Sequence, residues 1–408
     1  MTEAMYEMGV QLKDSDPALA RTWFERAAAA GHIGAMNDLG VLLADSDRGQ
    51  ARSWFEKAAK AGSPDAMANL GTMLVTIDPG QARPWLEKAA DAGNTVAMAN
   101  LGTMLVDTEP AEARSRLEQA AKAGHTGAKF NLGVMLASSD PAVARRWLEQ
   151  AAEAGDARAM YALGVTLEGT QGAQARNWYE RAAQAGHVGA MIELGVQLRD
   201  SDPGQARQWL EQAAATGDEG AMYGLAILLQ DSDPARARYW YEQAAQGGNP
   251  KAMYDLALML TATDPAQARR WYERAAQAGN AGAMNNLGAM LGTTDPAQAR
   301  RWLEQAVQAG HTGAMYNLGR LLTDSDPDEA RRWYERGAEA GNIDAMVNLG
   351  AMLADSGELG QARRLWERAA AAGDPTAMFN LGILLKDSDP RQARHWTQMA
   401  AKLGKTHR

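Results

Sequence analysis

Residues 283–313 read AMNNLGAMLGTTDPAQARRWLEQAVQAGHTG, and residues 314–344 read AMYNLGRLLTDSDPDEARRWYERGAEAGNID, the same 31-residue sentence written twice. In its second half Asp295 stands before Pro296, with Gln298 three residues after the Asp. That is an N-cap carboxylate, a proline at the first helical position and a capping-box partner. Ala299, Trp302, Leu303, Ala306 and Val307 follow at helical spacing as one apolar stripe, and Gly310 supplies a left-handed stop. The residue after this stop is His, Asn, Asp or Ser, and it precedes proline at Ser63-Pro64, Asn249-Pro250 and Asp374-Pro375. A second helix cap is therefore expected there. The stretch predicts a hairpin of two helices, each about 12–14 residues long, joined by short turns.

Aligned on the Ala-Met dipeptide (Ala-Lys in the fifth copy), repeats start at Ala4, Ala35, Ala66, Ala97, Ala128, Ala159, Ala190, Ala221, Ala252, Ala283, Ala314, Ala345 and Ala377. One spacing is 32 residues and all others are 31. We number these repeats 1–13 and count positions within each from its alanine. A period in this range signals a solenoid, whose units bury their apolar faces only against neighbours. The expected fold is an all-α solenoid superhelix of about 13 helix-turn-helix repeats, one continuous array over residues 4–408.

AMYNLG (314–319) followed by ARRWYERGAEAGN (330–342) resembles the Sel1-like repeat, a branch of the tetratricopeptide-repeat superfamily. The inter-helix turn here is shorter than that family's, shrinking to DSDP, and only repeat 12, with DSGELGQAR, keeps a trace of the longer loop. The resemblance implies a noncatalytic protein-binding scaffold whose first helices line a concave face through positions 3, 4, 7, 10 and 11. Helical spacing independently places 4, 7 and 11 on one stripe. Position 4 carries Asn69, Asn100 and Asn131, then Asn286, Asn317, Asn348 and Asn380. A side-chain amide offers donor and acceptor together, which suits the backbone of an extended peptide, and the two runs resemble the asparagine ladder of peptide-binding tetratricopeptide superhelices. The competing reading is that Asn belongs to the packing signature NLG; Glu, Asp, Ala and Gly at this position in the other six repeats count against it. Tyr223, Tyr254, Tyr316 and Phe379 at position 3 are expected contact residues. Position 11 is often Asp, and position 10 offers cations only at Lys13, Arg199 and Lys386. An extended, neutral-to-basic protein or peptide is the partner such a face would prefer.

Several classes of function find no residues. The chain has no Cys, which removes disulfides, thiol nucleophiles and Cys-based zinc sites. Forty-one basic residues against 50 acidic give a net charge of −9, opposing nucleic acid and anionic lipid. No apolar run approaches about 18 residues, and MTEAMYEMGV has neither basic nor apolar leader character. A cytoplasmic protein is expected. The six His are scattered, four of them (His32, His125, His187, His311) at the inter-repeat cap, with no metal-site spacing. No cofactor motif, metal site or catalytic constellation emerges, so the expectation is a protein that is not an enzyme. The twelve Trp, on the apolar stripe, are expected in the core. The Arg before each Trp, usually with Glu four residues on as in Arg300 and Glu304, is expected to be structural, and the NLG glycine to mark a close helix approach. Arg116 and Lys129 replace a Trp and a Met and make one off-pattern cationic spot. A monomer is expected; self-assembly through the repeat ends is the alternative.

Overall fold

A computed structural model describes residues 1–406. Among them are 26 α-helices and no strand, two helices to a repeat. In repeat 10 they are Ala281–Leu291 and Pro296–Gln308; in repeat 11, Gly313–Leu322 and Pro327–Glu339. The helices begin where the caps stand. Asp295 accepts the Gln298 N–H at 3.0 Å and Asn280 accepts the Ala283 N–H at 2.8 Å. Gly310 ends the second helix at φ 85°, a conformation that costs any residue with a Cβ. In repeat 12 the trace of a longer loop is a second left-handed glycine, Gly357 at φ 83°.

The helices form two compact bodies, Met1–Leu194 and Gly195–Arg408. The core of the first contains Phe24, Leu39, Phe55, Leu70 and Leu86 among small alanines. In the second, Tyr241, Leu256, Tyr272, Leu287 and Leu303 play the same part. Where the repeat carries the NLG glycine, the core side chain of its second helix lies over it. A Cβ built on Gly288 would stand 2.5 Å from Leu303 Cγ, and one on Gly164 2.5 Å from the Tyr179 ring. The close approach read from the sequence is thus within the hairpin.

The tryptophans depart from expectation. Eleven of the twelve are only half-buried, and the residue after the Trp, Leu303 after Trp302 or Tyr334 after Trp333, fills the core instead. Both neighbours lie within one apolar stripe, but only the second faces the glycine notch, so the first is turned to the edge of the helix. In six repeats a cation three residues on covers the indole face there, as Lys57 over Trp54 at 4.0 Å, Arg181 over Trp178 at 4.2 Å and Arg336 over Trp333 at 4.5 Å. Trp366 is the exception. In repeat 12 the order is Leu365-Trp366, so the indole takes the core place and donates to the Val347 carbonyl at 3.0 Å.

At Arg83, Arg300 and Arg331 the arginine row joins repeats through carboxylates. Arg300 holds Glu304 through Nε at 2.8 Å and Glu329 of the next repeat through its terminal nitrogens at 2.7 and 3.1 Å. Arg331 does the same with Glu335 and Glu358. At Glu109 and Glu358 the usual capping Asp is replaced by Glu; neither side chain caps its own helix, and each reaches back to the preceding repeat's arginine. That arginine holds both carboxyls below the usual carboxylate range. A helix cap has been exchanged for a bidentate bridge between repeats.

The histidine cap at His187 should make the first body sensitive to acid. His187 Nδ1 accepts the Ala190 N–H at 3.2 Å, a bond only the neutral ring can accept, and the ring stacks on Tyr161 at 4.5 Å. Burial lowers its pKa, Arg158 lowers it further, and Asp156 opposes them. A folded-state pKa below the unfolded value of about 6.5 means that the unfolded chain binds the extra proton. Stability should therefore be full above that pH and fall as the pH drops below it, by at most about 1.4 kcal/mol per unit for this one group. His187→Asn keeps a cap acceptor, as Asn94 and Asn280 do in other repeats. Urea unfolding of the variant should show a shallower decline between about pH 6.5 and 5 than the parent.

Candidate ligand-binding face

Position 4 is a lateral hydrogen-bonding site that links several first helices to the preceding repeat. In the N-terminal body the Tyr6 hydroxyl donates to Asp38 at 3.1 Å, and the Asn69 amide to Asn37 Oδ1 at 3.0 Å. In both pairs position 3 of one repeat meets position 4 of the next. Where position 3 is Ala68 or Ala99, position 7 supplies a threonine: Asn100 donates to Thr72 and Asn131 to Thr103, each at 2.7 Å. Repeat 5 offers only Phe130 and Val134 at these positions, and position 4 of repeat 6 is Ala162. In the C-terminal body Tyr223 donates to Asp255 at 2.9 Å and Asn317 to Asn285 at 2.8 Å. Asn286 donates to the Tyr272 hydroxyl at 3.3 Å. Each such bond contributes about 0.5–1.5 kcal/mol to the register of neighbouring repeats.

The predicted contact residues therefore divide. Asn69, Asn100, Asn131, Asn286 and Asn317 are half-buried and use an amide donor within the array. Asn348 turns to its own helix and donates to the Asp344 carbonyl at 2.8 Å. Tyr223, Tyr254 and Tyr316 lean against Tyr241, Tyr272 and Tyr334, with ring centroids 6.0–6.2 Å apart. Burial raises the Tyr223 and Asp255 pKa values, as expected for a shared, half-desolvated proton donor and acceptor, and pushes Tyr241 up to about 12. Phe379, in contrast, is 53% exposed beside Ile383 at 59%.

Three recesses open in the C-terminal body at equivalent places between consecutive first helices, each framed by positions 7 and 10 of one repeat and 4, 7 and 8 of the next. Between repeats 7 and 8, Gly195, Val196, Arg199, Gly224 and Ile227 enclose about 70 Å3. Between repeats 10 and 11 the recess holds about 210 Å3 and is lined by Gly292, Thr293, Asn317, Arg320 and Asp324. Between repeats 12 and 13 it holds about 260 Å3, with Ala351, Asp355, Asn380, Ile383 and Leu384 around Trp366. Asn317 and Asn380 thus each line a recess, and Asn380 faces a repeat whose positions 3 and 7 are Val347 and Ala351, with no polar partner to offer.

Arg320, Gly292 and Thr293 were not singled out by sequence, although a signal exists. Read down position 7, the chain gives Val, Thr, Ile, Leu and Ala in every repeat but the eleventh, where Arg320 stands. The off-pattern Arg116 has a different fate: its guanidinium is held by Asp91 at 2.9 Å and Glu112 at 3.5 Å, so it closes an inter-repeat contact. Among the described residues no cluster of His, Asp and Glu is placed to hold a metal ion, and no helix is long and apolar enough to cross a membrane.

The Sel1-repeat pattern matches twelve segments: 2–32, 34–63 and 64–94, then without interruption of the period from 128–156 to 375–405. The unmatched stretch, 95–127, is the repeat in which Arg116 replaces Trp. No curated protein matches the chain. Among solved structures, c5321, a protective antigen of uropathogenic Escherichia coli strains with an SLR fold, is 25% identical, with 94% of each chain covered and a TM-score of 0.62. A Sel1 repeat protein from Oxalobacter formigenes is 26% identical over 71% of this chain and 93% of its own, with a TM-score of 0.52.

Proposed function

The chain belongs to the Sel1-repeat family, and on that premise we propose that it is a noncatalytic protein-interaction scaffold whose first-helix face binds an extended segment of another polypeptide. The observation that carries this reading is the recurrence of one recess at three equivalent inter-repeat places in the C-terminal body. A regular series of side-chain-sized hollows suits a ligand that is itself periodic, and an extended chain with alternating side chains is such a ligand. Asn380 and Phe379 add an amide for main-chain bonding and an exposed aromatic surface. Acids at the edge, Asp324 and Asp355, favour segments of neutral to basic overall charge.

Capture of partners on the full chain, followed by trimming with protease and mapping, tests this. A retained segment of about 10–15 residues that competes as a synthetic peptide is the expected result. A partner that binds only as an intact folded domain, with no competing peptide, overturns it.

Self-association is the second reading, favoured by a recess of about 470 Å3 on repeat 13 lined by Ile383, Lys386, Pro390, Arg394 and Thr397. Light scattering over a concentration series separates the two, since a constant monomer mass excludes stacking.

A further inference from the structure

We propose that the recess between repeats 10 and 11 takes an acidic side chain of the bound segment through Arg320, and that with the recess between repeats 12 and 13 it reads a two-part signature. This rests on the peptide-binding reading and gives it a chemistry. Arg320 is the cation in a column of apolar and threonine residues; it is exposed, and among the described residues it forms no ion pair, even with Asp324 one turn away. Two glycines one turn apart, Gly288 and Gly292, line the space beside it. The arginines that precede the Trp position are instead held by Glu partners, as Arg300 and Arg331 are. Arg199, which lines the smaller recess, is already held by Asp200 at 3.1 Å. The Arg320 guanidinium is therefore available for a planar, bidentate carboxylate.

Thr293 and Asn317 flank it with further hydrogen-bonding groups, while Asp324 on the rim suits a peptide N–H and repels a second negative charge. In a chain of net charge −9 a strongly acidic ligand is disfavoured as a whole, so the recess accepts one carboxylate in an otherwise neutral or basic segment. The companion recess is apolar apart from Asn380 and Asp355, with the Trp366 indole as its floor, and suits a Leu, Met or Phe side chain. It lies two repeats further on. Helices packed side by side stand about 8–10 Å apart, so two steps span about 20 Å, or about six residues of extended chain at about 3.3 Å each. The signature is an Asp or Glu about six residues from a large apolar side chain.

An array of Gly/Ser peptides about a dozen residues long, each with one Glu and one Leu at varied separation and printed beside a pool of random sequences, is probed with the full chain. Binding should peak at a separation near six, and Glu→Gln in the peptide should weaken it at least about tenfold. Arg320→Gln, at an exposed position, should abolish the difference between Glu and Gln peptides while leaving the dependence on Leu. If random peptides bind but neither Glu nor Arg320 matters, the acidic subsite is wrong and peptide binding stands. If nothing on the array binds, the peptide-binding reading falls and this inference with it.

Discussion

Gly288→Val should destabilise the C-terminal body by about 3 kcal/mol, the upper range for forcing extra atoms into a packed interior. The reason is where the added carbon would go. A Cβ at 288 meets Leu303 Cγ at 2.5 Å and the Ala299 carbonyl oxygen at 3.1 Å. The leucine has rotamers to try, but the carbonyl is backbone of the second helix and moves only if the hairpin opens. A glycine in a helix already costs about 1 kcal/mol relative to alanine, so its presence in eleven of the thirteen repeats is itself a measure of that approach. Gly319→Ala provides the contrast. There the three atoms nearest the added carbon all belong to the Tyr334 ring, at 2.5–2.8 Å, and the Ala257 and Tyr272 pair of repeat 9 shows that alanine and tyrosine can be buried together. With the helix-propensity gain offsetting a small ring displacement, Gly319→Ala should change stability by less than about 1 kcal/mol. Urea unfolding followed by circular dichroism measures both. Equal midpoints for Gly288→Val and the parent would mean that the hairpin is loosely packed and that the glycine has another purpose.

These contrasts show where local pattern suffices and where it does not. Asp295-Pro296 and Gly310 act through backbone groups within a few residues, so the helix boundaries were readable directly from the chain. Trp302 and Leu303 share a stripe, and periodicity alone has no means of ranking adjacent residues within it. The rank is set by Gly288, 15 positions away in the same hairpin, which opens a notch for Leu303 and none for Trp302. The asparagines illustrate a subtler gap. Taken singly, Asn69 or Asn317 reads as a ligand-facing amide or as packing with equal ease. Only comparison of one repeat's position 3 or 7 with the next repeat's position 4 separates them, since Asn37 and Asn285 are the partners that occupy those donors. The same comparison down position 7 isolates Arg320. Columns of a repeat carry information that its rows do not.

The paired substitution Phe379→Ala with Asn380→Ala should weaken binding of the partner segment by about 30- to 1000-fold, corresponding to about 2–4 kcal/mol for the loss of an aromatic contact and an amide together. It should leave the urea midpoint in place. Phe379 is 53% exposed, so its truncation removes little buried surface, and Asn380 stands opposite Val347 and Ala351, which give its amide nothing to hold. Asn317→Ala is expected to behave oppositely in part, because it strands Asn285 Oδ1, now bonded at 2.8 Å; stability should fall by about 1 kcal/mol along with affinity. Arg300→Ala marks the other extreme. It breaks a bridge to Glu304 and Glu329 on the far helices of two repeats and touches none of the recesses, so the midpoint should drop with affinity unchanged. Titration calorimetry with the mapped segment and urea unfolding of the same samples give the two axes. Affinity of the Phe379 and Asn380 double variant within about twofold of the parent would remove repeat 13 from the binding face. A drop in its midpoint as large as that of Asn317→Ala would show instead that these side chains pack the array.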